Sequence, residues 1–414
     1  MKITRVSFAL LPAFAALSVW LAFSAAQAPE VTLAPGPVWK RHAIDNSTQG
    51  ADGVKTGDVN GDGLPDLVTG WEEGGETRVY LHPGQARVRD AWPRVTVGMT
   101  PDVEDAIFAD LDGDNVLEVV SCAEGNTRTV FRHRFIGKPG EWLDARKWVT
   151  DTFPVTRNAQ QWMQAAQMDV DGKYGPDLLL AAKNAGAAIG WLQSPPQARA
   201  DAWRYHTLRP AGWIMSLTPH DMDGDGDHDV FFTDRRGTRT GAYWLENPGA
   251  VAARAHAAWK EHPTGMAGRE VMFADLGDIN GDGLTDAAAA VKPVEIALFL
   301  QFAGKRWREQ ILRLPPAGLG TAKAVKIADL NGDHLADLLF TCEDAAGPRE
   351  GIVWLEQQRN GPWKLHPLGG PEGLKYDLMQ TIDLDGDGDL DVLTCEERDL
   401  LGLIWYENPH RGRT

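Results

Sequence analysis

The chain offers little from which covalent or cofactor chemistry could be read. Its 414 residues hold three cysteines, too few for a disulfide framework, so packing or metal must supply the stability. Neither a Gly-rich phosphate loop nor a nucleophile elbow occurs. Eleven histidines are present, but no three converge at the spacing of a zinc site. Positive charge is short: 41 Lys+Arg stand against 58 Asp+Glu, a formal net of −17. A nucleic acid or an anionic membrane would need a basic footprint, so neither is expected as a partner. Sustained helical periodicity is scarce, which points to low helix content. The rest of the composition is ordinary, with 43% hydrophobic and 24% charged residues, and excludes a disordered polymer, a collagen and a coiled coil.

Residues 1–28 read as a secretory signal. Lys2 and Arg5 open it, Phe8 to Phe23 is an apolar run broken by Pro12, and Ser24-Ala25-Ala26 is a small-residue cleavage pattern. The run is short for a bilayer span of about 20 residues, and no second apolar stretch reaches that length. The expectation is a secreted or periplasmic protein without a membrane span in the mature chain. Residues 29–37 then form a short linker, 38–410 the folded body and 411–414 a tail.

The body is one unit repeated seven times. Asp-Val-Asn-Gly-Asp-Gly-Leu-Pro-Asp at 58–66 recurs from Asp110, Asp169, Asp221, Asp278, Asp329 and Asp383, at spacings of 52, 59, 52, 57, 51 and 54 residues. Two other markers keep step. A Trp followed by polar residues, often ending in His, occurs at Trp39, Trp92, Trp148, Trp203, Trp259, Trp307 and Trp363. An aromatic in a short apolar run occurs at Tyr80, Phe131, Trp191, Trp244, Phe299, Trp354 and Trp405. Four short strands per unit of about 50 residues, seven times over, predict an all-β, seven-bladed β-propeller; a β-solenoid is the alternative. The chain opens on the Trp39 strand with no acidic loop before it and ends after the Trp405 strand with none of the Trp-Lys-x-His type behind it. The first strand is therefore expected to complete the last blade and remove the open sheet edge.

The acidic loops have the form of calcium sites, with oxygen donors alternating at positions 1, 3, 5 and 9 around a glycine at position 4. The expected ligands are Asp58, Asn60, Asp62 and Asp66; Asp110, Asp112, Asp114 and Glu118; Asp221, Asp223, Asp225 and Asp229; Asp278, Asn280, Asp282 and Asp286; Asp329, Asn331, Asp333 and Asp337; and Asp383, Asp385, Asp387 and Asp391. No Glu stands at position 12 and no helices flank the loops, so an EF-hand is excluded. Plain Asp-Gly surface turns are the competing explanation. Repeat three carries Lys173 at position 5, where an ammonium could pair with Asp169, Asp171 and Asp177 in place of the ion, so about six Ca2+ sites are expected and loop 169–177 is expected empty.

The Asp58-x-Asn-Gly-Asp-Gly-x-x-Asp66 loop and its copies resemble FG-GAP/VCBS repeats, the calcium-looped blades also found in the integrin α-subunit propeller. The resemblance covers residues 38–410 and implies a seven-bladed ring. It does not choose among adhesion domains, sugar-binding lectins, and propeller-bearing polysaccharide lyases or sugar dehydratases.

Subtracting the repeat leaves the candidates for function. His42, His206, His262 and His366 share one outer-strand position and read as structural; Cys122 and Cys395 fill a small-residue slot in apolar strands and read as buried thiols. Trp71, Trp162 and Trp213 fall outside the repeat positions and are expected in loops opposite the acidic ones. With Arg157, Arg209, Arg235, Arg236, Arg269, Glu104, Asp105 and Glu270 they suggest a ligand-binding face for a glycan or an extracellular protein. A cap on the central channel is the structural alternative, and a lyase or dehydratase using Arg and an acid is the enzymatic one. The protein is expected to be a monomer.

Overall fold

The computed structural model of the protein describes residues 29–196, 199–302 and 305–409; the expected signal segment and tail lie outside them. Seven sheets are present, each with four antiparallel strands in the blade order inner to outer. Blades one to six span residues 51–99, 103–152, 161–210, 214–265, 271–313 and 321–367. Blade seven takes three strands from 376–407 and its outermost from Lys40–Asp45. His42 pairs with Trp405 and Lys40 with Glu407, which is the closure the repeat phase predicts. The innermost strand of blade seven packs on that of blade one, so the array is a ring and the solenoid is excluded.

One strand was not expected. Val31–Leu33, inside the segment read as a linker, pairs in parallel with Trp363–Pro367 and gives blade six a fifth strand. The Trp363 amide donates to Glu30 O, and the Ala34 amide to Leu365 O. An outer edge otherwise open to pairing is thus covered.

Packing follows the alternation of the repeat. The second strand of each blade is buried on both sides; Asp177–Lys183 is buried throughout. Trp191, Trp244, Trp354 and Trp405 each meet the outer-strand histidine opposite them, tilted at Trp191 and stacked at the other three, with ring centroids 4.9, 4.0, 4.5 and 4.6 Å apart. Those histidines also hydrogen-bond Gln193, Glu246, Glu356 and Glu407, so they are structural. Cys122, Cys342 and Cys395 are buried free thiols. The one α-helix among the described residues is Ala250–Arg254, and no helix there is long and apolar enough to cross a membrane.

Candidate functional sites: acidic loops and a charged funnel

Each acidic loop joins the first and second strands of its blade, so all seven lie on one face. The wrap is built by its first residue. Asp58 Oδ1 accepts the amides of Gly61 and Asp62 at 2.7 and 3.0 Å, and Oδ2 accepts that of Gly63 at 2.9 Å. Position 4 is glycine with φ between 68° and 77° in all seven loops, a region that costs other residues about 1 kcal/mol. Position 6 is also left-handed throughout, including at Asn115, Tyr174 and His334.

The ninth residue has a role the loop motif did not reveal. Asp66 is buried; its Oδ2 accepts the Val59 amide at 3.0 Å and its Oδ1 the His82 amide at 2.9 Å. The same staple from loop to third strand recurs at Asp177, Asp229, Asp286, Asp337 and Asp391. Burial pushes Asp66, Asp177, Asp229, Asp337 and Asp391 up to about 7, although the amides pull the other way. A hard divalent cation fits this donor set, which is all oxygen. Donor oxygens of Asp110, Asp112 and Asp114, and of Asp221, Asp223 and Asp225, lie within 4.8 Å of one another.

The ion pairs expected between Lys173 and the acids of its loop are not formed. Lys173 is exposed and makes none of the ion pairs found among the described residues. Asp171 is instead met by Gln193 Nε2 at 2.6 Å, while Arg254 donates to its backbone oxygen. The built-in cation sits in loop two. Arg132, 2% exposed on the third strand of blade two, places Nη2 3.2 Å from Asp112 Oδ2 and against Glu118 Oε1. It lies outside the nine-residue motif, so a reading confined to the loop could not find it.

On the opposite face the ring narrows to a cavity of about 330 Å³. Of the eleven residues expected to bind ligand, it gathers Trp213, Arg235, Arg236 and Glu104, with Glu270 held 2.7 Å from Arg235. The others are placed differently. Trp71 and Trp162 end or begin strands and are core residues, donating to Tyr80 Oη and Thr156 O. Arg209 is buried in ion pairs with Asp234 and Glu261, its guanidinium 4.7 Å from the Phe232 ring centre. Asp105 is buried and accepts the Ala165 amide at 3.0 Å. Arg269 pairs with Glu295 on the rim, and Arg157 lines a separate cleft between blades two and three.

Two positions per blade supply most of the cavity's lining, and both are locked to the repeat. In every blade the innermost strand carries a β-bulge, which turns one residue toward the axis: Gly53, Glu104, Met163, Met215, Phe273, Lys323 and Asp377. The second ring stands six residues after the last acid of each loop and is charged seven times out of seven: Glu72, Glu124, Lys183, Arg235, Lys292, Glu343 and Glu397. That period was available in the sequence but escaped a search by residue type.

The groups in the funnel perturb one another. Lys183 pairs with Glu104 at 2.7 Å and with Glu124; Lys323 pairs with Asp377 at 2.8 Å; Lys375 pairs with Glu397. Burial, helped by the charges of Asp377 and Glu397, raises Asp52 well above the carboxylate range. Burial also pushes Glu397 up to about 8. Asp377 is held low by Lys323 against the push of its own burial. Three cations surround the Trp213 ring, with Lys183 Nζ 4.5 Å, Arg235 Cζ 4.8 Å and Arg236 Cζ 4.6 Å from its centre.

Loops on one rim and a funnel on the other belong to a seven-bladed repeat propeller. The family model for the FG-GAP-like repeat matches residues 42–121. The matched loop recurs in all seven blades, so an FG-GAP-like repeat in blade one and its copies build a seven-bladed propeller. No curated protein matches it. Solved structures that resemble it include BBS1N in complex with ARL6DN, soaked with mercury. There the TM-score is 0.50 at 9% identity, over 91% of this chain and 98% of that one. The lead-soaked crystal of the same complex gives 0.49 at 10% identity, over 90% and 97%. At such identity the likeness concerns the fold alone.

Proposed function

We propose that the protein is an exported binding module that takes calcium at its acidic loops and receives a glycan or an extracellular protein at the funnel. The carrying observation is the indole of Trp213, half-buried at the cavity wall with three cations around its ring. Aromatic surface beside fixed charge suits a polar, ring-bearing or anionic partner. In the loops, the side chains at positions 1, 3 and 5 would hold the ion, which would supply rigidity and neutralise charge. The ninth residue already holds backbone, and its oxygens keep lone pairs for the ion. Export fits this role, because millimolar calcium is found outside cells.

A glycan-array screen with calcium present tests the reading. The expected result is saturable binding that Trp213→Ala abolishes; no binding, or binding that survives the substitution, would sink it. Intact-mass analysis of exported protein should show a chain beginning at Gln27.

A further inference from the structure

The second ring of the funnel is sorted by sign. Cations occupy blades three, four and five without interruption, and carboxylates occupy six, seven, one and two. Each of the two sign changes is bridged by an ion pair, Lys183 to Glu124 and Lys292 to Glu343. Inside the arcs, Arg235 is met by Glu270 and Glu397 by Lys375.

Glu72 is the member of the second ring left without such a partner, and Arg236 and Arg398, each following a ring residue, line the cavity outside the ion pairs found among the described residues. Glu72 of blade one is half-buried at the cavity wall, and its carboxylate makes no hydrogen bond or ion pair among the described residues. Arg236 of blade four lies over Trp213 without a carboxylate partner there. Trp213 Nε1 is buried and has no hydrogen-bond partner. Blades one and four stand three apart, the largest separation a seven-membered ring allows.

A simple cation would be drawn to one arc and repelled by the other, and a simple anion likewise. A ligand with opposite charges at its two ends gains at both, and the field across the mouth orients it. We propose that the funnel binds a small zwitterion, its ammonium against Glu72 and its anionic group against Arg236 beside Trp213. This rests on the funnel being the binding site and adds the ligand's chemistry. Two sources supply that chemistry: an amino sugar joined to a uronic acid, and a short peptide.

Titration calorimetry on the calcium-equilibrated protein decides it. The probes are a glucuronate–glucosamine disaccharide with a free amine, its N-acetyl and methyl-ester forms, and triglycine with its N-acetyl and C-amide forms. At least one zwitterion should bind, and capping either end should weaken it by about tenfold or more, one charged contact's worth. Glu72→Gln should erase the penalty for capping the amine, and Arg236→Gln the penalty for capping the acid. The series that binds identifies the source. No binding by either zwitterion, or capped forms binding equally well, overturns the proposal. A glycan-array ligand that needs Trp213 but ignores both substitutions would leave the funnel standing and remove only the zwitterion. Binding that survives Trp213→Ala would remove both.

Discussion

Loops one, five and six carry Asn at position 3 where loops two, three, four and seven carry Asp, and the structure treats the two groups differently. The first group has Asn at position 3, and its side-chain amide donates to the position-5 Asp within the loop, at 3.0, 3.1 and 3.4 Å for Asn60, Asn280 and Asn331. The second has Asp there, and in each case a donor arrives from outside: Arg132 to Asp112, Gln193 to Asp171, Lys305 to Asp223 and Arg89 to Asp385. The donors come from the same blade in loops two and three and from the next blade around the ring in four and seven. An added carboxylate is thus matched by an added donor. Counting acids in a loop overstates its appetite for an ion.

The comparison can be broken or sharpened in several ways. Chelation should have the largest effect, since a ligand that binds only the folded state contributes about 2.7 kcal/mol per site at a hundredfold excess over its dissociation constant. A thermal melt unchanged in excess chelator would reduce both groups to ordinary turns. Next comes Arg132→Ala, which strands Asp112 and Glu118 beside a vacated, buried place. It should destabilise calcium-free protein by about 3–5 kcal/mol, and calcium should restore more stability to the variant than it adds to the parent. Equal calcium shifts in the two melts would show that Arg132 does not stand where an ion would.

A smaller effect is expected at position 6. Tyr174→Gly and His334→Gly relieve left-handed strain and should each raise stability by up to about 1 kcal/mol, one in each group of loops. Denaturant midpoints that fall would refute the strain. Least of all should come from Lys173→Ala, within about 0.5 kcal/mol and with no change in bound calcium, because the side chain is exposed. A gain of one ion by metal analysis would restore the lysine to the role its sequence position suggests.

The acidic loops were legible residue by residue because a tight wrap needs glycine or another left-handed residue at set places, and that requirement is written in adjacent letters. The histidines were legible for a similar reason: a shared strand phase places each one opposite an aromatic. The ligand face was read less well. Trp71 and Trp162 lie off the repeat positions yet are core, because strand ends near the axis are as buried as strand middles. Trp213, Arg235, Arg236 and Glu104 were found, but Asp52, Lys323, Lys375 and Asp377 were not singled out.

By itself the sequence determined the number of blades, their phase and the way the ring closes, since period and strand order are one-dimensional facts that a sheet must obey. Only the tertiary structure decided which charges meet. Arg132 enters loop two from a strand 20 residues from Asp112, and Lys305 reaches loop four from the neighbouring blade, 82 residues from Asp223. Closure also sets Glu72 three blades from Arg236 across a shared cavity. Electrostatic pairing depends on distance through space, and a ring makes neighbours of residues that the chain keeps far apart.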